Sequence, residues 1–338
     1  MPTLGIVFPG QGSQVLGMGV DVARRFAASR EAFEQASKLL GYDLLELCKR
    51  GPEVQLRETR VSQPAIFTTN VAIYRAVETL GLRPIVSAGH SFGEYCSLTI
   101  ADALDFETAL RLVNERGLAM GAAADEAPGA MAAVIGFDQA RVSELVAEAR
   151  LRSGARLDLA NLNAPLQIVV SGDVAAVEAL CDLASRAGAK RVVMLNVSGA
   201  WHSELMRPAV ARFAPFVESA TMRVPSFEVI GNVDVAPYRS VDQMRRSLIA
   251  SLVSRVRWHE TAQAVAARQP DFIVECGASA VLAPMMRRLS GVSADRCLHI
   301  ADGEGIAKFD ALVKAAFGQA ADPDRASAER RSKGLSGS

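Results

Sequence analysis

The chain has 338 residues, half of them hydrophobic and 22% charged, which is enough apolar material for one large core or two modest ones. Lysine plus arginine and aspartate plus glutamate each number 37, so no global field draws the molecule to nucleic acid or to an anionic membrane surface. Five scattered cysteines with no C-x-x-C spacing argue against a disulfide framework and a zinc site, and no run of about eighteen apolar residues predicts a membrane span, so a cytoplasmic protein is expected.

Residues 4–8 predict an apolar strand that enters a glycine turn, with no basic stretch before it that would mark a signal peptide. Helical periodicity follows in 18–40 and 64–80, then a strand at 85–90 and helices at 92–100 and 106–122. Short β-branched runs alternating with longer helical segments predict an α/β fold with a parallel sheet. From residue 130 the rhythm changes: strand 130–135, helix 138–151, strands 156–161 and 166–171, helix 174–187, strand 190–196. That β-α-β-β-α-β order predicts a small ferredoxin-like unit inserted into the first pattern. The first pattern resumes with strands at 227–230 and 272–276 around a helical stretch of 240–268. Beyond 318 the sequence is rich in Ala, Asp, Arg, Ser and Gly without an apolar face, and 319–338 is expected to be a disordered tail.

Gly89-His90-Ser91-Phe92-Gly93 fits G-x-S-x-G, with an apolar strand before it and a helix-compatible stretch after it. That context predicts a nucleophile elbow, in which the serine sits on a tight turn and the following helix aims its positive end at a developing oxyanion. A serine hydroxyl needs a base, and the chain offers four histidines. His90 adjoins the serine and should point away from it; His259 lies in a helical pattern, and His299 ends a short apolar segment. His202 follows a strand end and opens a polar-to-helical stretch, where α/β enzymes present catalytic groups, and is the favoured base.

The motifs Pro9-Gly10-Gln11-Gly12-Ser13-Gln14, Gln63-Pro64-Ala65, Gly89 to Tyr95, Asn114-Glu115-Arg116-Gly117 and Gly199-Ala200-Trp201-His202-Ser203 stand in one order. In that order the chain resembles the malonyl-CoA:acyl carrier protein transacylases and the related acyltransferases of polyketide synthases over roughly residues 1–315. The resemblance implies a large α/β-hydrolase-like catalytic subdomain of 1–128 and 198–318 and a ferredoxin-like small subdomain of 129–197. It implies Ser91 as the acylated residue and His202 as its base, the imidazole being held by a main-chain carbonyl instead of a carboxylate. It further implies an oxyanion hole from the N–H groups of Gln11 and Phe92, and Arg116 as the partner of a malonyl carboxylate, because a guanidinium offers two parallel donors. Gln63, His90, Trp201 and Ser251 are placed around the substrate. Trp201 would either crowd the α-carbon substituent or serve only core packing, Phe92 is bulkier than the leucine usual there, and Ser251 stands where the family carries Gln or Asn, with its main-chain carbonyl still available.

The implied reaction carries a malonyl or related group from coenzyme A to an acyl carrier protein, in fatty-acid or polyketide synthesis, with no metal or other cofactor. Carrier proteins of this class tend to be acidic, so a basic rim is expected from among Lys190-Arg191, Arg245-Arg246, Arg255-Arg257 and Arg287-Arg288. Two other readings fit the same motifs: a hydrolase that clears acyl groups from carriers, against which Arg116 weighs, and a carrier-docking subunit without catalysis, against which the intact Ser91 and His202 weigh.

Overall fold

The segment Leu4-Gly5-Ile6-Val7-Phe8 is apolar at nearly every position because its strand is buried on both faces. In the computed structural model, which describes residues 1–318, it forms β1 (Thr3–Phe8). Leu4, Ile6 and Phe8 point into one core and Val7 into another on the opposite side. Next come α1 (Val20–Arg25), α2 (Ala27–Leu40), α3 (Leu44–Arg50), α4 (Glu53–Arg57), α5 (Thr59–Glu78), β2 (Arg83–Gly89), α6 (Gly93–Ile100) and α7 (Phe106–Glu126). The middle of the chain supplies β3 (Gly129–Ile135), α8 (Gln139–Ser153), β4 (Leu157–Ala164), β5 (Gln167–Asp173), α9 (Val174–Arg186) and β6 (Arg191–Met194). The remainder comprises a short 3₁₀ turn (Glu204–Met206), α10 (Arg207–Ser219), β7 (Glu228–Ile230), α11 (Val241–Ala250), α12 (Trp258–Ala266), β8 (Phe272–Cys276), α13 (Leu282–Ser290), β9 (Cys297–Ile300) and α14 (Gly303–Phe317).

Two sheets result. A five-stranded sheet has the order β7-β2-β1-β8-β9 and is parallel at every pairing, as the alternating pattern predicts. A four-stranded antiparallel sheet has the order β4-β5-β3-β6, which is the strand arrangement expected of the ferredoxin-like unit. One face of this smaller sheet is covered by α8 and α9, whose Val142, Leu145, Val177 and Leu180 close a separate core on Val134 and Val170. The smaller sheet is tied to the connection between α11 and α12 at the main chain, where Leu162 N–H donates to the Val256 carbonyl at 2.8 Å and Val256 N–H to the Ala160 carbonyl at 2.8 Å.

Three elements depart from the sequence reading. Helix α5 begins at Thr59, a turn before Pro64, which removes one i to i−4 bond; burial of Thr59, Ser62, Gln63 and Pro64 holds that turn in place. The stretch 240–268 is two helices, interrupted at 251–257 where the chain pairs with β4. The apolar segment ending near His299 is the edge strand β9. The expected tail, 319–338, lies outside the described residues.

Candidate active site

Adjacent parallel strands end side by side, so β1 and β2 deliver the loops that follow them to one place, with Phe8 in register with Gly89. Ser91 occupies the turn between β2 and α6 with φ 53°, a left-handed conformation that L residues adopt at a cost. The flanking glycines are demanded by packing. A Cβ on Gly89 would lie 1.9 Å from the Gly93 carbonyl carbon, and one on Gly93 2.4 Å from the Phe8 carbonyl oxygen. The turn can therefore fold back against the sheet only with glycine at both places.

His202 comes from the loop that leaves β6, and its Nε2 lies 2.8 Å from Ser91 Oγ. Its Nδ1 faces two carbonyl oxygens, Ser251 at 2.8 Å and Ser254 at 3.1 Å. Carbonyls only accept, so the ring proton resides on Nδ1 and Nε2 is left as the acceptor for the Ser91 hydroxyl. Burial, with the Arg116 guanidinium nearby, pushes the His202 pKa down to about 3, so the resting imidazole is neutral. The carbonyls come from the interruption between α11 and α12, which gives that break its place in the site.

Arg116, on α7, is 1% exposed. One terminal nitrogen donates to Gln63 Oε1 at 2.7 Å and the other to Ser91 Oγ at 3.2 Å, while Nε has no partner among the described residues. Among the described residues no carboxylate makes a direct ion pair with it, and the buried Glu94 acts on it only at longer range, so a buried cation faces the Ser91 hydroxyl. Gln63 is oriented in turn by Thr59, to which its Nε2 donates at 2.9 Å, and the Thr59 hydroxyl donates to Gln11 Oε1 at 3.2 Å. The chain of contacts Gln11, Thr59, Gln63, Arg116, Ser91 crosses the floor of the site.

Gln11, Ser91, Arg116 and His202 line a cavity of about 280 Å³ that also contacts Met120, Met131, Asn161 and Leu195. Gln11 and Phe92 both line it, and among the described residues neither main-chain N–H donates to a protein acceptor. Trp201 lines the cavity and its ring also lies over Gly199, where a Cβ would come within 2.6 Å of it, so its wall and packing positions coincide. His90 lines it without touching Ser91; its Nε2 pairs with Asn163 Oδ1 at 2.9 Å and its ring lies 5.7 Å from Trp258. Two of the expected substrate contacts lie elsewhere. Gln63 reaches the cavity only through Arg116, and Ser251 turns its hydroxyl to the Leu248 carbonyl at 2.7 Å, so only its main chain serves the site.

Sequence reasoning missed Thr59, Asn163 and Asn232. Asn232 Oδ1 accepts from Ser91 N–H at 3.2 Å, across 141 positions of sequence, and no local pattern announces such a partner. Among the expected basic residues, Arg245, Arg257 and Arg287 bond internally to Ala220, Glu260 and Cys297, whereas Lys190, Arg191, Arg246, Arg255 and Arg288 are exposed and make no ion pair among the described residues. No described helix is long and apolar enough to cross a membrane.

Comparison with known proteins gives the family. The family model described as the acyl transferase domain matches residues 6–295. A malonyl CoA-acyl carrier protein transacylase of Haemophilus influenzae is 40% identical over 293 residues, covering 86% of this chain and 93% of that one. The polyketide biosynthesis protein ThaF of Burkholderia thailandensis is 40% identical over 285 residues, 84% of this chain but 24% of its own length. Among solved structures, the Coxiella burnetii transacylase superposes with a TM-score of 0.87 at 38% identity, covering 92% of this chain and 98% of that one. A type II polyketide malonyl-transacylase, solved with its acyl-carrier protein, has a TM-score of 0.85 at 36% identity, with 90% and 98% covered. With a matched model over most of its length and full-length relatives at this identity, the chain belongs to the acyltransferase family of the malonyl-CoA:acyl carrier protein transacylases.

Proposed function

We propose that this protein moves a malonyl group from coenzyme A to the phosphopantetheine thiol of an acyl carrier protein through an ester on Ser91. The observation that carries the reading is Arg116: a buried guanidinium that makes no direct ion pair among the described residues, 3.2 Å from Ser91 Oγ, is matched by a short acyl group ending in a carboxylate. His202 Nε2 takes the Ser91 proton as Oγ attacks the thioester carbon. The N–H groups of Gln11 and Phe92 stabilise the tetrahedral oxyanion, each worth about 3 kcal/mol. Collapse expels the coenzyme A sulfur, which leaves with the proton from His202. The carrier thiol then gives its proton to Nε2 and attacks the ester, and Ser91 recovers its hydrogen.

A buried imidazole that resists protonation at rest suits this sequence. The imidazolium forms only while a negative oxygen stands beside it and the Ser251 and Ser254 carbonyls face its other nitrogen, so its charge is compensated as it appears. The exchange conserves oxidation state and requires neither a metal nor a redox group. Five unpaired cysteines support a reducing, cytoplasmic setting. Exposed Arg255, which lines a cleft together with the outer side of His202, is the basic group proposed to meet the carrier.

The test is transfer of labelled malonyl from coenzyme A to holo carrier protein, run beside acetyl-CoA. Malonyl transfer that exceeds both acetyl transfer and water hydrolysis supports the reading; hydrolysis of acyl carriers without malonyl transfer would replace it with the clearing hydrolase.

A further inference from the structure

Beneath the elbow lies a set of buried polar side chains outside the dyad and the oxyanion donors, none of which hydrogen-bonds Arg116 among the described residues. Asn232, in the turn after β7, bonds main-chain groups on both sides of the turn. Its Nδ2 donates to the Gly89 carbonyl at 2.8 Å, and its Oδ1 accepts from Ser91 N–H at 3.2 Å. The same Nδ2 donates to Glu94 Oε2 at 2.6 Å. The other Glu94 oxygen accepts from the Tyr238 hydroxyl, whose oxygen lies 2.8 Å from Ser247 Oγ. Asn232, Glu94, Tyr238 and Ser247 are all buried.

An amide side chain can occupy its site in two orientations, and here only one is satisfied. Turning Asn232 over would set its oxygen against the Gly89 carbonyl and the Glu94 carboxyl, and its NH₂ against the Ser91 N–H. Burial pushes the Glu94 pKa up to about 7, and both its ionised and protonated forms keep an oxygen that accepts from Asn232. Glu94 thus helps select the orientation in which Asn232 accepts from Ser91. The bond falls on a residue held at φ 53°, where the local backbone does not favour the conformation that aims Oγ at His202.

We propose that Asn232 is a positioning residue for acyl transfer, clamping the main chain at Gly89 and Ser91 so that the nucleophile stays in reach of its base, with Glu94 fixing the amide that does so. The proposal rests on Ser91 being the acylated residue. A clamp of this kind acts on geometry and leaves the carboxylate pocket at Arg116 in place, so its loss falls on the rate of acylation and spares half-saturation.

Rapid-quench measurement of acyl-enzyme formation from malonyl-CoA tests it. Asn232→Ala is expected to acylate roughly 100-fold more slowly, the scale of a small misplacement of reacting groups, with half-saturation unchanged. Glu94→Gln keeps an acceptor toward Asn232 and can turn its NH₂ to the Tyr238 oxygen, so it is expected to retain most of the rate. Glu94→Leu is expected to lose about as much as Asn232→Ala, and the double variant to lose no more than either alone, because both act through one clamp. An Asn232→Ala rate equal to that of the wild type, a loss confined to half-saturation, or losses that multiply in the double variant would overturn the clamp. Should Asn232→Ala fail to fold, Glu94→Leu against Glu94→Gln decides: equal rates overturn the proposal, and rescue by glutamine supports it. Ser91→Ala run in parallel separates the two claims, since an adduct surviving there would overturn the reading of the nucleophile, whereas its loss beside a fast Asn232→Ala would overturn the clamp alone.

Discussion

The five-stranded parallel sheet meets the cavity at its strand ends, through Gln11 after β1 and Ser91 after β2, whereas the antiparallel sheet meets it with Met131 on β3, Asn161 on β4 and the segment after β6. Parallel strands all finish on one edge, so the turns that carry donors and nucleophiles converge there. An antiparallel sheet sends its strand ends both ways and offers a face, which makes a wall. His202 lies where the two meet: its loop leaves the small sheet, and the carbonyls that hold it belong to a segment hydrogen-bonded to β4. On the proposed mechanism, chemistry is built on one sheet, fit on the other, and the alignment of the base on their junction.

Substitutions can break that division. The largest effect is expected at the dyad, where His202→Ala should lower the acylation rate by about 10⁴-fold, as removal of a general base does, measured by single-turnover kinetics. Arg116→Ala should cost about 3 kcal/mol in kcat/KM for malonyl-CoA, roughly a hundredfold, while leaving slow acylation by acetyl-CoA in place. Equal losses on both substrates would contradict a carboxylate-specific role. On the small sheet, Asn163→Ala removes one hydrogen bond to His90, worth about 1 kcal/mol, and is expected to change steady-state kcat/KM by only about fivefold. A loss there as large as that at His202 would end the contrast between chemistry and wall.

The smallest mutational effect belongs to the rim. Arg255→Glu should raise KM for the carrier a few-fold and more at low salt, by about 1 kcal/mol or less, with acylation by malonyl-CoA unaltered. With pH, almost no change is expected from the base itself. A histidine at its ordinary pKa of 6.5 would lose its free Nε2 as pH falls through that value; His202, pushed down to about 3, stays neutral well below it. In a Glu94→Gln background, which removes the carboxyl titrating near 7, the acylation rate should stay level from pH 8 to 5.5. A tenfold fall across that window would place the His202 pKa near its ordinary value.

Both sheets and the tight turn at Ser91 were legible in the sequence because their signals are local. Period-two and period-3.6 patterns specify strands and helices, and the elbow needs its glycines within two residues of Ser91. His202 could be reached only because the chain has few histidines, and Arg116, Gln11 and Phe92 only through resemblance. What stayed hidden is non-local. The break at 251–257 carries no strong turn signal and is set by pairing with β4. Thr59 joins Gln11 across 48 positions and Asn232 joins Ser91 across 141, so each looks like an ordinary polar residue until the chain has folded.

The central claim is that Ser91 carries the acyl group between two thiols, and intact mass spectrometry tests it most directly. Incubated with malonyl-CoA, the wild-type protein should gain one malonyl adduct that disappears on addition of holo carrier protein as the carrier gains the same mass, and Ser91→Ala should gain none. An adduct that persists in Ser91→Ala, or one that is lost to water at the same rate with and without the carrier, would contradict the account.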